Sequence, residues 1–175
     1  MAGDHQNSSP VNCAVITVSD TRNKETDKSG RLITELLTSA KHKVNMYEII
    51  RDDRESITGT VEKAIASPAV EAVIVNGGTG ISYRDVTIES IQPLLDKELP
   101  GFGELFRYLS YQFDIGTAGM LSRAISGVAN HRVIFSTPGS SGAVKLAMER
   151  LILPELGHAV REVNKDSPDQ RDEKH

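Results

Sequence analysis

The chain has 175 residues, of which 38% are hydrophobic and 25% charged, and its formal net charge is −4. This size and composition are typical of a single globular domain, and an acidic chain lacks the basic surface that nucleic-acid binding requires. The polar N-terminus does not fit a signal peptide, and no apolar run approaches the roughly 20 residues of a membrane helix. We therefore expect a cytoplasmic protein that binds neither nucleic acid nor a membrane.

The predicted secondary structure alternates between strands and helices. Apolar runs rich in β-branched residues predict interior strands, and apolar residues at helical spacing predict helices. The predicted strands are 12–19, 43–50, 70–75 and 131–135, and the predicted helices are 28–40, 55–66, 87–95, 104–113, 143–153 and 154–163. Asp27, Asp53 and Thr87 stand where N-caps belong. A turn is predicted at 98–103 and a short helix or turn at 117–125.

This order of elements predicts the fold class. Strands that alternate with helices form right-handed crossovers, and these place the strands in parallel with helices on both faces. We predict an α/β protein, with a three-layer α/β/α domain around a mostly parallel central sheet. The domain spans residues 11–163, between flexible segments at 1–10 and 164–175, because the charged C-terminal tail has too few apolar residues to fold.

Two loops at the ends of predicted strands are candidates for binding an anion. Asn76-Gly77-Gly78-Thr79-Gly80 follows the third strand, and a loop of small polar residues at 136–142 follows the fourth. Glycines allow sharp turns and let a ligand approach the main chain, and ligands of parallel sheets bind beyond the carboxyl ends of the strands. One such loop is weak evidence, but two at the same edge, each followed by a helix, favour a phosphate group.

The chain lacks several common catalytic motifs. Gly139–Lys145 does not have the spacing of a P-loop, neither glycine loop contains G-x-G-x-x-G, and G-x-S-x-G is absent. The single cysteine, Cys13, lies in an apolar run and is expected to be buried. The histidines lack metal-ligand spacing and are expected at the surface or in the tails; they are His5, His42, His131, His158 and His175.

Three aspartates at strand ends allow two interpretations each. Asp85 either braces its own loop or holds a divalent cation beside phosphates, and Asp52 has the same two alternatives. Asp20 accepts hydrogen bonds from a ligand or from its own loop. Arg22 and Arg84 flank these loops and are the arginines most suited to pair with an anion.

Several motifs, in order and at compatible spacing, resemble the MoaB/MogA family of molybdenum cofactor biosynthesis proteins. They cover residues 10–160 and comprise TVSDTR (17–22), NGGTG (76–80), RDVT (84–87), PGFGELFR (100–107), LSRAISGV (121–128) and STPGSS (136–141). The last motif is similar to the MoaB type, because the MogA type carries PG-x-P-K there. The lysine of that loop is missing, and Lys145 is not assumed to replace it.

The resemblance implies a molybdopterin-binding domain whose active members adenylylate molybdopterin with Mg-ATP before molybdate insertion. It maps the two functionally important aspartates of the family to Asp52 and Asp85, for which we expect catalytic roles. We expect Asp85 to be a Mg²⁺ ligand, and Asp52 to be either a second carboxylate at the metal or a group that orients the substrate. The nucleophile is a phosphate that is already ionised, so positioning and charge neutralisation suffice. The substrate-binding residues that it implies are Ser19, Asp20, Gly77, Gly78, Thr79, Gly80, Pro138, Gly139, Ser140 and Ser141.

The resemblance also implies partners and leaves alternatives open. Family members are trimers or, in the MoaB type, often hexamers, and they hand their product to a molybdate-inserting protein. The aromatic stretch 102–113 is either a subunit contact or part of the core. The altered PGSS loop favours a second hypothesis, a non-catalytic molybdopterin-binding or carrier protein. A more distant alternative is an unrelated nucleotide-binding α/β protein.

Overall fold

Six strands form a single sheet in the computed structural model, which describes residues 9–167. The order across the sheet is β2-β1-β3-β6-β5-β4; the first four of these are parallel, and β5 and β4 add antiparallel pairings. The strands are β1 (Asn12–Val18), β2 (Lys43–Ile50), β3 (Ala72–Asn76), β4 (Lys97–Glu98), β5 (Ile125–Ala129) and β6 (Arg132–Thr137). The predicted α/β class with a mostly parallel sheet is confirmed.

Helices cover both faces of the sheet. They are α1 (Lys28–Ser39), α2 (Arg54–Ala66), α3 (Thr87–Ile91), α4 (Pro100–Phe113), α5 (Ser141–Ala147) and α6 (Leu153–Asn164). Residues of α1, α4, α5 and α6 belong to one buried apolar cluster, and residues of α2 and α3 belong to another. Cys13 and Val15 of β1 join the first cluster, whereas Ala14 and Ile16 join the second. Alternate residues of a strand point to opposite faces, so β1 is buried on both sides.

The structure tests the predicted N-caps. The Asp27 carboxylate accepts from the Gly30 N–H at 3.0 Å, and the Asp53 carboxylate accepts from the Ser56 N–H at 2.8 Å, as predicted. The prediction for Thr87 is wrong, because Val86 occupies the cap position and Thr87 is the first helical residue. The Thr87 N–H donates instead to the Gly78 carbonyl at 3.0 Å, which ties the start of α3 to the glycine loop.

The predicted turn at 98–103 is also wrong. Lys97 and Glu98 form β4, which pairs with β5, and the helix that was expected from Glu104 begins at Pro100. Proline is well suited to the first turn of a helix, where its missing N–H costs nothing. The prediction had not included β5. Gly127 interrupts its apolar pattern, and the sheet needs that glycine because a Cβ there would lie 2.4 Å from the Lys97 carbonyl oxygen.

Other boundaries differ less from the prediction. A 3-10 helix at Gly116–Leu121 accounts for the first part of the short helix or turn expected at 117–125, whereas Ile125 already belongs to β5. The helix α3 ends at Ile91 rather than at Leu95, and a 3-10 helix at Gln92–Leu94, which contains Pro93, follows it. No break separates α5 from α6, since a π-helical turn at Met148–Ile152 joins them and Pro154 falls in the first turn of α6. Among the terminal segments predicted to be flexible, 1–8 and 168–175 lie outside the described residues, while α6 extends one residue into the predicted tail.

The helix α4 is apolar on two sides. Phe102 and Phe106 are buried in the core, and the Phe102 ring packs against Phe135 with centroids 5.3 Å apart. On another side, Leu105, Tyr108 and Tyr111 are exposed to 53%, 59% and 54%. The aromatic stretch is thus both part of the core and an exposed apolar surface.

No helix within residues 9–167 is apolar over a length that would cross a membrane.

Candidate functional site

The loops that follow β1, β3 and β6 meet around a single cavity of about 320 Å³. Parallel strands bring their carboxyl ends to one edge of the sheet, which is why loops far apart in sequence converge there. Thr21, Arg22 and Asp85 belong to the lining, together with these predicted binding residues: Ser19, Gly77, Gly78, Thr79, Gly80, Pro138, Gly139 and Ser140. Asp20, Asp52 and Ser141 do not line this cavity.

The cavity depends on the backbone conformation of two glycines. Gly77 has φ of +98° and Gly78 has φ of +67°, a region that residues with a side chain rarely adopt. A Cβ on Gly77 would lie 2.3 Å from the Val18 carbonyl oxygen, so no side chain fits between the loops after β1 and β3. A Cβ on Gly139 would stand 3.1 Å from the Cα of Gly77, which shows how closely the third loop approaches.

The serine hydroxyls of the site shape its loops. The Ser19 hydroxyl accepts from the Thr21 and Arg22 N–H groups at 3.2 and 3.1 Å, and it thereby closes the turn after β1. The Ser140 hydroxyl caps α5 by accepting from the Ala143 N–H at 3.2 Å. Ser141 is the first residue of that helix. These contacts within the protein hold the loops around the cavity.

Asp52 lies at the edge of a second cavity of about 530 Å³, together with Tyr83 and Arg84. Its Oδ1 atom is buried and has no hydrogen-bond partner among residues 9–167. Burial, followed by the negative charges of Asp85 and Asp20, raises the pKa of Asp52. An acceptor that is both buried and crowded by like charges is an unfavourable arrangement for the protein alone, so it is typical of a functional site.

Asp85 braces its own loop, as one of the two interpretations predicted. Its Oδ2 atom accepts from the Ser82 N–H at 3.0 Å and from the Ser82 hydroxyl at 2.6 Å. The carboxylate also belongs to the lining of the glycine cavity, and it lies near enough to Asp52 to raise the pKa of that residue. Asp85 therefore lines the glycine cavity while its sequence neighbours Arg84 and Val86 line the second one.

Asp20, Arg22 and Arg84 are engaged within the protein. Asp20 accepts from the Asp52 N–H at 3.1 Å and forms an ion pair with Arg84, which joins the loops after β1 and β3. Arg22 donates to the Ser29 hydroxyl at 2.5 Å and to the Gly139 carbonyl at 3.0 Å. The two arginines hold loops together, and their pairing with a ligand anion stays a prediction.

A buried polar network supports the loops from below. Asp27 is fully buried, and its carboxylate accepts from the Gly30 N–H and the Tyr47 hydroxyl. The Ser29 hydroxyl donates to Asn76 Oδ1 at 2.8 Å, and the Asn76 amide donates to the Thr17 hydroxyl at 2.9 Å. Burial by itself would raise the pKa of Asp27, but the hydrogen bonds from Tyr47, Thr17 and Gly30 outweigh it and leave the pKa lowered.

The sequence did not single out Arg123 and Glu89. Arg123 donates to the carbonyl oxygens of Thr79 and Gly80 at 3.0 and 2.8 Å and forms an ion pair with Glu89. The hydrogen bond from Arg123 lowers the pKa of Glu89. The one available signal was the motif LSRAISGV, which contains this arginine.

The remaining candidates for nucleophilic or metal chemistry lie elsewhere. Cys13 is buried as predicted, and burial followed by the charge of Glu71 raises its pKa to about 12. His42 accepts from the Val11 N–H at 3.0 Å and lines neither cavity, while His5 and His175 fall outside the described residues. Within residues 9–167, no three His, Cys, Asp or Glu side chains are grouped so as to hold a metal by themselves.

Fold and site together define an α/β protein that presents a glycine-lined cavity and an acid pair at the carboxyl edge of its parallel strands. Residues 14–158 match the family model described as a probable molybdopterin binding domain. Molybdenum cofactor biosynthesis protein B of Bacillus subtilis is 56% identical over 165 residues, which cover 93% of this chain and 97% of that protein. The chain belongs to the MoaB/MogA family of molybdenum cofactor biosynthesis proteins, within which it is of the MoaB type.

Solved structures agree with this assignment. A crystal structure of molybdenum cofactor biosynthesis protein B is 57% identical, with a TM-score of 0.89 over 91% of this chain and 99% of that one. The tungsten cofactor synthesizing protein MoaB from Pyrococcus furiosus is 41% identical, with a TM-score of 0.79 over 90% of this chain and 99% of that one. The resemblance carried by the sequence motifs is thus confirmed.

Proposed function

We propose that this protein binds molybdopterin and adenylylates it with Mg-ATP, giving adenylyl-molybdopterin before molybdate insertion. The observation that carries the proposal is the position of the two aspartates. Asp85 lines the glycine cavity, and Asp52 lines the neighbouring cavity. A transfer between two phosphorylated substrates needs two binding sites that meet at the reacting phosphates, and the presence of two cavities with one of the aspartates in each supports the proposal.

The chemistry demands little of the protein beyond positioning. An oxygen of the terminal phosphate of molybdopterin forms a bond to the α-phosphorus of ATP, the bond to the β-phosphate breaks, and pyrophosphate leaves. The attacking phosphate is ionised at neutral pH, so no side chain has to remove a proton. Holding the two phosphates in line and neutralising their charge accounts for most of the catalysis in such transfers. The absence of histidine and cysteine from both cavity linings fits this chemistry.

The acid pair suits a magnesium ion that arrives with ATP. Mg²⁺ is usually held by one or two carboxylates together with substrate phosphates and water. Asp52 Oδ1, which has no hydrogen-bond partner in the described part of the chain, would supply one ligand atom, and Asp85 would supply a second carboxylate. The ion would neutralise the charge repulsion that raises the pKa of Asp52, and it would neutralise charge on the phosphates during transfer.

A second candidate function is a carrier that holds molybdopterin without adenylylating it. The position of Lys145 favours this candidate, because the lysine lines a different cavity with Phe113 and Glu149. Lys145 therefore does not replace the lysine that the MogA-type loop carries. Pyrophosphate release from ATP in the presence of molybdopterin separates the two functions, since a carrier releases none.

The exposed face of α4 supports an oligomer, a trimer or a hexamer, as part of the same proposal. Leu105, Tyr108 and Tyr111 follow one another at three-residue spacing along this face, and they are exposed to 53%, 59% and 54%. Large contiguous apolar patches on a soluble protein mark surfaces that pack against another molecule. A second copy of the chain covers such a patch in a closed assembly, and hand-over to a molybdate-inserting protein would then use other surfaces.

The replacement Asp85→Asn tests the catalytic assignment. Asparagine keeps an oxygen that can accept from the Ser82 N–H, so the loop keeps its shape while the charge is lost. We expect adenylyl transfer to be abolished and molybdopterin binding to remain. Asp96→Asn is the matched control, because Asp96 also accepts from a backbone N–H, that of Asn130 at 2.9 Å, and lies at another cavity. Normal turnover of Asp85→Asn with Mg-ATP would show that the assignment is wrong.

A further inference from the structure

We propose that Arg123 is a positioning residue that turns the N–H groups of the glycine loop towards a bound phosphate. The residue lies between the 3-10 helix Gly116–Leu121 and β5, more than 40 positions along the chain from the loop. Its Nε donates to the carbonyl oxygens of Thr79 and Gly80 at 3.0 and 3.1 Å, and its Nη2 donates to Gly80 at 2.8 Å and to the Asp85 carbonyl at 3.5 Å. The identity of the phosphate compound rests on the proposed function.

These contacts fix the direction of two peptide groups. In a trans peptide the C=O and the N–H point in opposite directions. Because Arg123 holds the carbonyls of Thr79 and Gly80, the N–H groups of Gly80 and Ile81 point away from the guanidinium. Thr79 and Gly80 line the glycine cavity, whereas Arg123 does not. Arg123 thus holds the loop without lining the cavity, and its proposed role requires the N–H groups of Gly80 and Ile81 to face the ligand.

The arginine is itself held in place. Glu89 of α3 forms an ion pair with Arg123, and the side chains are 38% and 31% exposed. The guanidinium fork is planar and rigid, so pairing one edge with a carboxylate fixes where the other N–H groups point. The pair is neutral overall, which means that its contribution to phosphate binding comes mainly from orienting the loop. A lysine keeps the charge but cannot donate to several carbonyls in this geometry.

A matched arginine elsewhere in the chain separates positioning from stability. Arg132 also donates to backbone carbonyls, those of Val70, Asn130 and Ser67, at 3.0, 2.9 and 3.0 Å. It stands at the start of β6, at the opposite end of that strand from the glycine cavity. Removing either arginine leaves carbonyls without their donors, so both changes are expected to lower the melting temperature. Only the change at Arg123 is expected to alter the binding of phosphate.

The experiment measures the affinity of the full-length protein for Mg-ATP and for pyrophosphate by calorimetry, with the ¹⁵N amide shifts of Gly80 and Ile81 as a local readout. We expect Arg123→Met to weaken binding of at least one probe by about tenfold or more and to reduce the shift change of both amides on binding. Arg123→Lys should weaken binding less than Arg123→Met but by more than about twofold, Glu89→Gln should give a smaller loss than Arg123→Met, and Arg132→Met should bind like the wild type.

The outcomes distinguish this inference from the proposed function. Binding of both probes to Arg123→Met or Arg123→Lys within about twofold of the wild type overturns the inference, even if adenylyl transfer is observed. If Arg123→Met does not fold, Arg123→Lys decides alone. If the wild type binds the probes but transfers no adenylyl group, the proposed function fails and the role of Arg123 stands on the binding data. If the wild type binds neither probe, both fail.

Discussion

Replacing Gly30 by alanine gives the sharpest test of the packing beneath the site, because helix propensity predicts a stabilised protein and the structure predicts a destabilised one. Gly30 lies in the first turn of α1. Replacing glycine by alanine within a helix stabilises it by up to about 1 kcal/mol. However, a Cβ on Gly30 would lie 2.1 Å from Asp27 Oδ2, 2.6 Å from the Thr17 hydroxyl and 2.8 Å from the Tyr47 hydroxyl. All three distances are shorter than any real contact of a methyl group.

The magnitude follows from what must move. Asp27 and Thr17 are fully buried, and both are tied by hydrogen bonds, so the extra methyl forces a rearrangement of the network. Overpacking of this kind costs about 1–3 kcal/mol, and each weakened hydrogen bond adds about 1 kcal/mol. Once the gain in helix propensity is subtracted, we expect Gly30→Ala to lower the free energy of unfolding by about 2 kcal/mol. For a domain of this size, that corresponds to about 4–8 °C in melting temperature.

The control is Gly59→Ala. Gly59 lies within α2, and apart from its chain neighbours and the backbone of its own helix no atom lies within 4 Å of the position that its Cβ would occupy. Urea and thermal unfolding, measured at the same protein concentration for each variant because an oligomer's stability depends on it, should show Gly59→Ala stabilised by about 0.5–1 kcal/mol and Gly30→Ala destabilised. The same shift in both variants would refute the reasoning, because it would mean that the network offers room for a methyl group.

Three further predictions concern charge and assembly. The folded pKa of Asp27 is lowered, so the ionised carboxylate stabilises the fold above its unfolded pKa of about 4, and this stabilisation is lost as pH falls through the folded pKa. Asp27→Asn should lower the free energy of unfolding at pH 7 and reduce its dependence on pH in the acid range. The folded pKa of Asp52 is raised, so its stabilisation is present below the unfolded pKa and is lost as pH rises through the folded one. Asp52→Asn should therefore raise the melting temperature at pH 7 while abolishing adenylyl transfer, and an unchanged or lower value would contradict the repulsion. The double variant Leu105→Glu and Tyr108→Glu should be a monomer where the wild type is an oligomer, as measured by light scattering. A monomeric wild type would refute the assembly.

The central strands and their helices were predictable because their patterns are local. Every residue of β3 is buried, and its apolar run Ala72–Val75 therefore predicts the strand directly. Asp27 and Asp53 cap their helices through bonds to residues three positions ahead, a spacing that the sequence displays directly. The convergence of the loops also followed from the sequence, since parallel strands deliver their ends to one edge whatever the details of packing.

The strands β4 and β5 at the antiparallel edge of the sheet could not be predicted, because their pairing does not depend on a local sequence pattern. The strand β4 has two residues, both exposed, and β5 contains Ser126 and Gly127, so neither shows an apolar run. Their pairing is stabilised by contacts between distant parts of the chain, such as the Leu99 N–H donating to the Ser126 carbonyl at 2.8 Å. Arg123 was missed for the same reason, because its partners Thr79 and Gly80 are remote in sequence.

The polar groups at the carboxyl edge of the sheet differ in whether they already have hydrogen-bond partners within the protein. The hydroxyls of Ser19 and Ser140 and the side chain of Arg22 already have partners within the protein, so they define the cavity without needing a ligand. Asp52 Oδ1 is buried without a partner among the described residues, and a Cβ on Gly78 would lie 3.0 Å from it. A buried acceptor without a partner destabilises the fold, and no interaction within the protein compensates for it. This cost is offset only if a cation or a hydrogen-bond donor of a substrate binds Asp52 Oδ1. The missing partner of this atom is therefore a stronger argument for chemistry at Asp52 than the glycine loop is.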